Sequence, residues 1–175
     1  IRESGAQMFR STGDIQDNWQ SIKSIAESQI GREAYGGVYC HNDMDMLVVG
    51  MHGCGDNAEV LGKVVGGCTD TEYKTHFALL SIMNSPLMIG CDVRKMSEAA
   101  KGILTNKDVI AINQDIERRV HYCIRQWNNP ENVFSLIKPL SGGDYAVGMF
   151  NFSDKKNEMS LQFYDIGLPA ASGRG

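Results

Sequence analysis

Hydrophobic and polar positions along the 175 residues fall into two textures. Up to about residue 116, apolar residues at helical spacing alternate with short apolar runs. Beyond it, short alternating runs take over. The chain opens on Met-Phe-Arg-Ser-Thr-Gly-Asp at residues 8–14, where Arg10, Thr12 and Asp14 alternate and on a strand would project from one face. Gly13 lets the backbone bend out of that strand just before the carboxylate. Ile15, Trp19, Ile22 and Ile25 follow at steps of three and four, one face of an amphipathic helix running to about Ser28. Asp14, Asp17 and Asn18 suit its start, and Gly31, Gly36 and Gly37 its dissolution. Residues 39–50 pass from a polar approach holding Asp43 and Asp45 into Met46-Leu47-Val48-Val49, ended by Gly50. An apolar run bounded in this way predicts a strand buried on both faces.

Residues 51–67 carry five glycines and read mostly as a long loop. Thr69-Asp70-Thr71-Glu72 is a capping box, opening a helix with Tyr73, Phe77, Leu80 and Met83 on one face and Pro86 at its end. Residues 87–93 read as a further buried strand. Ser97 starts a helix through Ala100, Ile103 and Leu104, and Asn106 caps a short one through Val109, Ile110 and Ile112. Such alternation of strand and helix is the α/β pattern of a parallel sheet or barrel. From about residue 117, runs at 120–127, 133–139, 144–152 and 158–163 are separated by turn residues, as in antiparallel hairpins. The expected division is an α/β part over 1–116 and the start of an antiparallel β domain over 117–175. Four strands are few for a closed sandwich, so more of that domain is expected beyond Gly175. The small residues at 170–175 are expected to fray.

Composition adds exclusions. A net charge of −4 without a Lys/Arg stripe gives no footprint for nucleic acid. No apolar run is long enough to span a bilayer. The opening residues lack the basic start and apolar core of a signal peptide, and without an initiator Met the chain reads as starting within a longer one. Five scattered cysteines are an odd number in a chain too large to need staples, and reduced thiols fit a reducing compartment such as the cytoplasm. His52, Cys54 and Cys68 match no established zinc spacing, so no metal is expected. Nothing in the pattern fixes an oligomeric state.

By itself, the 8–14 segment fits either a working strand end or a surface strand with solvated Arg10 and Asp14. Four motifs narrow the choice: Phe9-Arg10-Ser11-Thr12-Gly13-Asp14-Ile15, His41-Asn42-Asp43-Met44-Asp45-Met46-Leu47, the span 69–94, and Asp108-Val109-Ile110-Ala111-Ile112-Asn113-Gln114-Asp115. Together they resemble glycoside hydrolase family 27 over most of residues 5–152. The resemblance implies a retaining exo-glycosidase, chiefly of terminal α-galactosides or α-N-acetylgalactosaminides, that uses no metal or organic cofactor. It implies a (β/α)₈ barrel followed by an antiparallel β-sandwich-type domain. The strands at Met8, Met46 and Leu87 would then be the sixth, seventh and eighth of the barrel. Asp14 falls where the family has its general acid/base, and Arg10 where it has a substrate-contacting arginine. Asp45 and Met46 fall at the sugar pocket, and Asp43 on the first acid of the family's Asn-Asp-Pro-Asp-Met-Leu run.

Three departures affect the pocket walls. His41 and Met44 replace a tryptophan and a proline, Phe9 replaces a frequent tryptophan, and the 51–67 loop is long. The family's nucleophile, an aspartate in a Lys-x-Asp-x-Cys run on the fourth strand, has no counterpart in these residues. The implied partner is therefore the upstream part of the same enzyme, and the chain alone is expected to be inactive. Against these roles stand a structural Arg10–Asp14 ion pair, and loop-capping by Asp43 and Asp45. Met44, Met46 and Met51 read as pocket wall or core. Trp127 reads as a core or interface residue, or else as a sugar-stacking one. A rival from another class is a non-catalytic carbohydrate-binding or interaction module, which the lack of a row of exposed aromatics disfavours.

Overall fold

A computed structural model describes residues 2–54, 59–60, 63–64 and 66–168. Among these, an α/β part is followed by a three-stranded antiparallel sheet. Strands β1 (Met8–Arg10) and β2 (His41–Asp43) pair in parallel, with Met8 opposite His41 and Arg10 opposite Asp43. Helix α1 (Trp19–Gln29) makes the crossover between them. Asn18 caps it by accepting from the Ser21 N–H at 2.8 Å, and its inner face buries Ile22, Ile25 and Ala26. Ile15 is buried too, although it precedes the helix.

The strand expected at Met46–Val49 forms earlier in the motif, at His41–Asp43. The polar residues His41–Asp43 make the ladder, while Leu47, Val48 and Val49 are buried just after it. The physical reason is Asp45, whose φ of 75° turns the chain out of the extended conformation between the two. Leu47 keeps a single parallel bridge to Ile89. That bridge is also all that remains of the strand expected at 87–93, where Met88 and Ile89 are exposed rather than buried. Within the expected 51–67 loop, β3 (Glu59–Val60) and β4 (Lys63–Val64) pair antiparallel.

Helix α2 (Asp70–Ile82) starts at the predicted capping box. Thr69 Oγ1 accepts from the Glu72 N–H at 3.3 Å, and Glu72 Oε2 accepts from the Thr69 N–H at 2.6 Å. The helix stops before Pro86, because Asn84 takes a left-handed φ of 59°. Helices α3 (Glu98–Leu104) and α4 (Lys107–Asn113) carry the expected caps, Ser97 and Asn106.

Strands β5 (Tyr122–Arg125), β6 (Val133–Pro139) and β7 (Tyr145–Asn151) lie antiparallel in that order, with Phe134 opposite both Arg125 and Phe150. The fourth run, 158–163, is not a strand. It is irregular, its Ser160 carbonyl takes the side-chain amide of Gln126 at 2.8 Å, and a 3-10 turn follows at Phe163–Ile166. Gln126 is buried, and its neighbour Trp127, read as a core or interface residue or else a sugar-stacking one, is 89% exposed at the hairpin tip, which rules out the core among these. The fraying expected at 170–175 falls outside the described residues.

Helix α2 is the hub. It packs on α1, α3 and α4 and on β6 and β7, and one hydrophobic core joins Ile22, Val48, Phe77, Leu80, Ile103, Phe134 and Phe150. Edge-to-face rings link α1 to the sheet, Trp19 to Phe152 at 5.2 Å and Phe152 to Phe134 at 4.9 Å. Polar ties accompany them. Lys138, fully buried on β6, donates to Asn84 Oδ1 at 2.5 Å and to the Ile112 carbonyl in the last turn of α4. Asp115 Oδ2 accepts from Ser141 N–H at 2.9 Å and from its hydroxyl at 2.7 Å.

Candidate active site

The C-terminal ends of β1 and β2 bring a guanidinium and several carboxylates together. Arg10, the last residue of β1, places Nη2 against Asp14 Oδ1 and 2.9 Å from Asp45 Oδ2. The alternation expected for Arg10, Thr12 and Asp14 does not produce this meeting. The strand ends at Arg10, Thr12 buries its Oγ1 without a hydrogen-bond partner, and an irregular bend carries Asp14 back to Arg10. Asp14 itself is 87% exposed in its side chain, against 13% for Asp45.

Asp45 is held from several sides. Its Oδ2 accepts from the Ile15 N–H at 2.8 Å, its Oδ1 from the Met46 N–H at 2.8 Å, and its own N–H donates to Asp43 Oδ1 at 2.9 Å. The positive φ of Asp45 makes this compact arrangement possible, a conformation that Asp tolerates better than most side chains. Asp43 therefore shapes the backbone of Asp45, and it reaches Arg10 only through its charge. Arg10 is held above its already high ordinary pKa by its hydrogen bond to Asp14, with the charges of Asp45, Asp14 and Asp43 adding to that. Met46 is 44% exposed and packs its sulfur over Gly90, where a Cβ would lie only 2.6 Å from it. Met44 is buried core, and Met51 packs partly buried against it.

Arg10, Asp14 and Asp45 thus converge and Asp43 supports them, while Met46 packs over Gly90 and does not line the depression beside Asp14. An open depression beside them is lined by Ser11, Thr12, Gly13, Asp14 and polar residues of α1. Sequence reasoning gave Asp17 only a helix-start role. Instead it is a buried carboxylate accepting from Tyr73 Oη–H at 2.9 Å and from the Gly53 N–H at 2.7 Å. Its partners lie far along the chain, so only its spacing after Asp14 could have drawn notice. Behind the strands, Ser11 Oγ sits 2.8 Å from both Gln29 Oε1 and Asn42 Oδ1, a network equally silent in the sequence. The five cysteines are all free thiols, and Cys68, buried against Asp17, is pushed up to about 12 by burial first and then by the Asp17 charge.

Residues 1–115 match the family model described as alpha galactosidase A, and residues 133–174 match that of the alpha galactosidase C-terminal beta sandwich domain. The chain belongs to the alpha galactosidase A family. Membership of glycoside hydrolase family 27, anticipated from the four motifs, is borne out. An alpha-galactosidase of Cyamopsis tetragonoloba is 36% identical over 91% of the chain and 35% of its own length. A Bacteroides fragilis structure, described as an alpha-galactosidase/melibiase, superposes with a TM-score of 0.85 at 34% identity, covering 95% of the chain and 35% of that protein. Saccharomyces cerevisiae alpha-galactosidase, solved with raffinose, gives 0.68 at 25% identity over 88% of the chain and 32% of its own. The chain therefore spans about a third of the length of these alpha galactosidase relatives.

Proposed function

We propose that the chain supplies the acid/base side of an α-galactosidase active site, cleaving terminal α-D-galactosides with retention. The observation that carries this reading is the meeting of Arg10 with Asp14 and Asp45 at the C-terminal ends of parallel strands, where barrel enzymes hold their catalytic groups. In this scheme residues 1–116 are the last three βα units of a (β/α)₈ barrel, and residues 117–175 begin the β domain. A carboxylate from the upstream part of the same enzyme attacks the anomeric carbon. Asp14 donates its proton to the departing glycosidic oxygen. Asp14 then takes a proton from water as that water displaces the enzyme carboxylate, which restores both groups. Arg10 and Asp45 hold the sugar and each other, Asp43 fixes the turn that presents Asp45, and Met46 lines the pocket wall. The galactosidase names of the relatives and the raffinose in the yeast structure support a galactoside as substrate.

The test is hydrolysis of 4-nitrophenyl α-D-galactoside. The 175-residue chain alone should show no turnover, the longer polypeptide that adds the upstream strands should be active, and Asp14→Asn in it should lose roughly 100- to 10,000-fold in kcat. Turnover by the chain alone, at its own intact mass, would overturn the division of labour. A second reading, a non-catalytic carbohydrate-binding or interaction fragment, draws on the exposure of Trp127. It requires saturable sugar binding that survives Asp14→Asn and is lost in Trp127→Ala.

A further inference from the structure

Asp14 carries the proposed chemistry, yet its side chain is largely exposed and Arg10 is the partner that holds it. Its position must come from the backbone on either side. One residue on, the Ile15 N–H is fixed to Asp45 at 2.8 Å. Three residues on, Asp17 is buried at 6% exposure and gathers donors from three separate segments.

Its Oδ1 takes the Tyr73 hydroxyl proton at 2.9 Å, which ties the segment to the core face of α2. Its Oδ2 takes the Gly53 N–H at 2.7 Å, and its main-chain carbonyl takes the Gly67 N–H at 2.5 Å. Gly53 and Gly67 are the two roots of the long loop that follows β2. The Tyr73 oxygen in turn accepts from the His52 N–H at 2.8 Å and the Cys68 N–H at 3.3 Å, so both roots are bound twice. The roots pass each other at contact distance. Gly67 has φ 109°, and a Cβ there would lie 3.4 Å from both Gly53 N and the His52 carbonyl carbon. The His52 ring closes the cluster edge-to-face on Tyr73 at 5.3 Å. A buried side chain with a directed donor on each carboxylate oxygen, and a third on its own main-chain carbonyl, is a rigid anchor.

We propose that Asp17 is a positioning residue for Asp14: through Tyr73 and the two loop roots it fixes the backbone that aims the acid at the glycosidic oxygen. The inference rests on the acid role proposed above. A mis-aimed acid hurts in proportion to the help the leaving group needs, whereas a general structural defect hurts all substrates alike.

The experiment compares methyl α-D-galactoside with 2,4-dinitrophenyl α-D-galactoside, whose phenolate leaves without protonation, in the enzyme that joins this chain to its upstream strands. Asp17→Asn should lower kcat/KM roughly tenfold or more on the methyl glycoside, since small displacements of catalytic groups cost up to about 100-fold. It should leave kcat/KM for the dinitrophenyl glycoside within about twofold of the parent. That ratio reports only the first step, where the phenolate leaves unprotonated, whereas kcat on that substrate also carries Asp14's later work as a base. Tyr73→Phe should show the same leaving-group signature in milder form, and it decides the matter if Asp17→Asn fails to fold. Equal losses on both substrates, or no loss on the methyl glycoside, overturn the inference. Asp14→Asn separates the two levels. If it shows the leaving-group dependence and the Asp17 and Tyr73 variants do not, the positioning role alone fails. If Asp14→Asn lacks it, the acid role fails and the positioning role with it.

Discussion

Asp45 shows how much one residue can carry. Its left-handed backbone ends the ladder at Asp43, its two oxygens hold the Ile15 and Met46 amides, and the same carboxylate reaches Arg10. The sequence marked Asp45 as a site residue by its motif, but its conformation was not legible, because Asp tolerates a positive φ without requiring one. Asp14 and Arg10 were legible for a similar reason, four residues apart in one motif. Asp17 was not, since its partners Gly53 and Tyr73 are brought to it only by the fold. Two buried histidines support a prediction at this scale. His76 and His121 are both lowered by burial to about 4, from an ordinary 6.5, and His76 Nε2 accepts from the Val48 N–H. The unfolded chain therefore binds protons that the folded one refuses between pH 6.5 and 4, so stability is lost as pH falls through that window. Each group contributes about 1.4 kcal/mol per pH unit at most. Urea midpoints should drop from pH 6.5 to 4.5, and the drop should shrink by about half in His121→Asn. Flat midpoints in the parent would contradict it.

Among the elements, helices were easier to read than strands. The capping box at Thr69 and Glu72 sits where its spacing put it, because a cap is a local contract between residues three apart. Ser97 and Asn106 behave likewise. Strands depend on partners. The apolar run Leu47–Val49 is buried as expected, but burial is not pairing, and the ladder forms on the polar residues before it. Residues 158–163 have the alternation of a strand and cover Gln126 as irregular chain instead. Thr69→Ala should remove one half of the box and cost about 1 kcal/mol. A thermal scan should show this as a Tm lowered by roughly 2–4 °C, with helix content before the transition unchanged. An unchanged Tm would mean that packing, not capping, sets where α2 begins.

The whole molecule is held by a junction between helices and sheet that the sequence could not describe. Lys138 lies in an alternating strand, yet every residue from Val133 to Lys138 is buried, since β6 is central and covered on both sides. Burial lowers its amine to about 8, with the Asp115 charge opposing. The unfolded chain thus binds more protons than the folded one between pH 8 and the ordinary 10.5, so this group adds stability as pH rises through that range. Lys138→Met lacks the gain. The stability difference, parent minus variant, should therefore grow between pH 8 and 10, and a constant difference would place the charge elsewhere.

The position of α2 at the hub also has a consequence in time. Its apolar face is covered by Phe134 and Phe150, and Phe150 follows Ile82 by about 70 residues. At roughly 5–20 residues per second of synthesis, the helix leaves the ribosome several seconds before its cover does. During that interval Phe77 and Leu80 face water or a chaperone, and the newborn protein is most open to misassembly then.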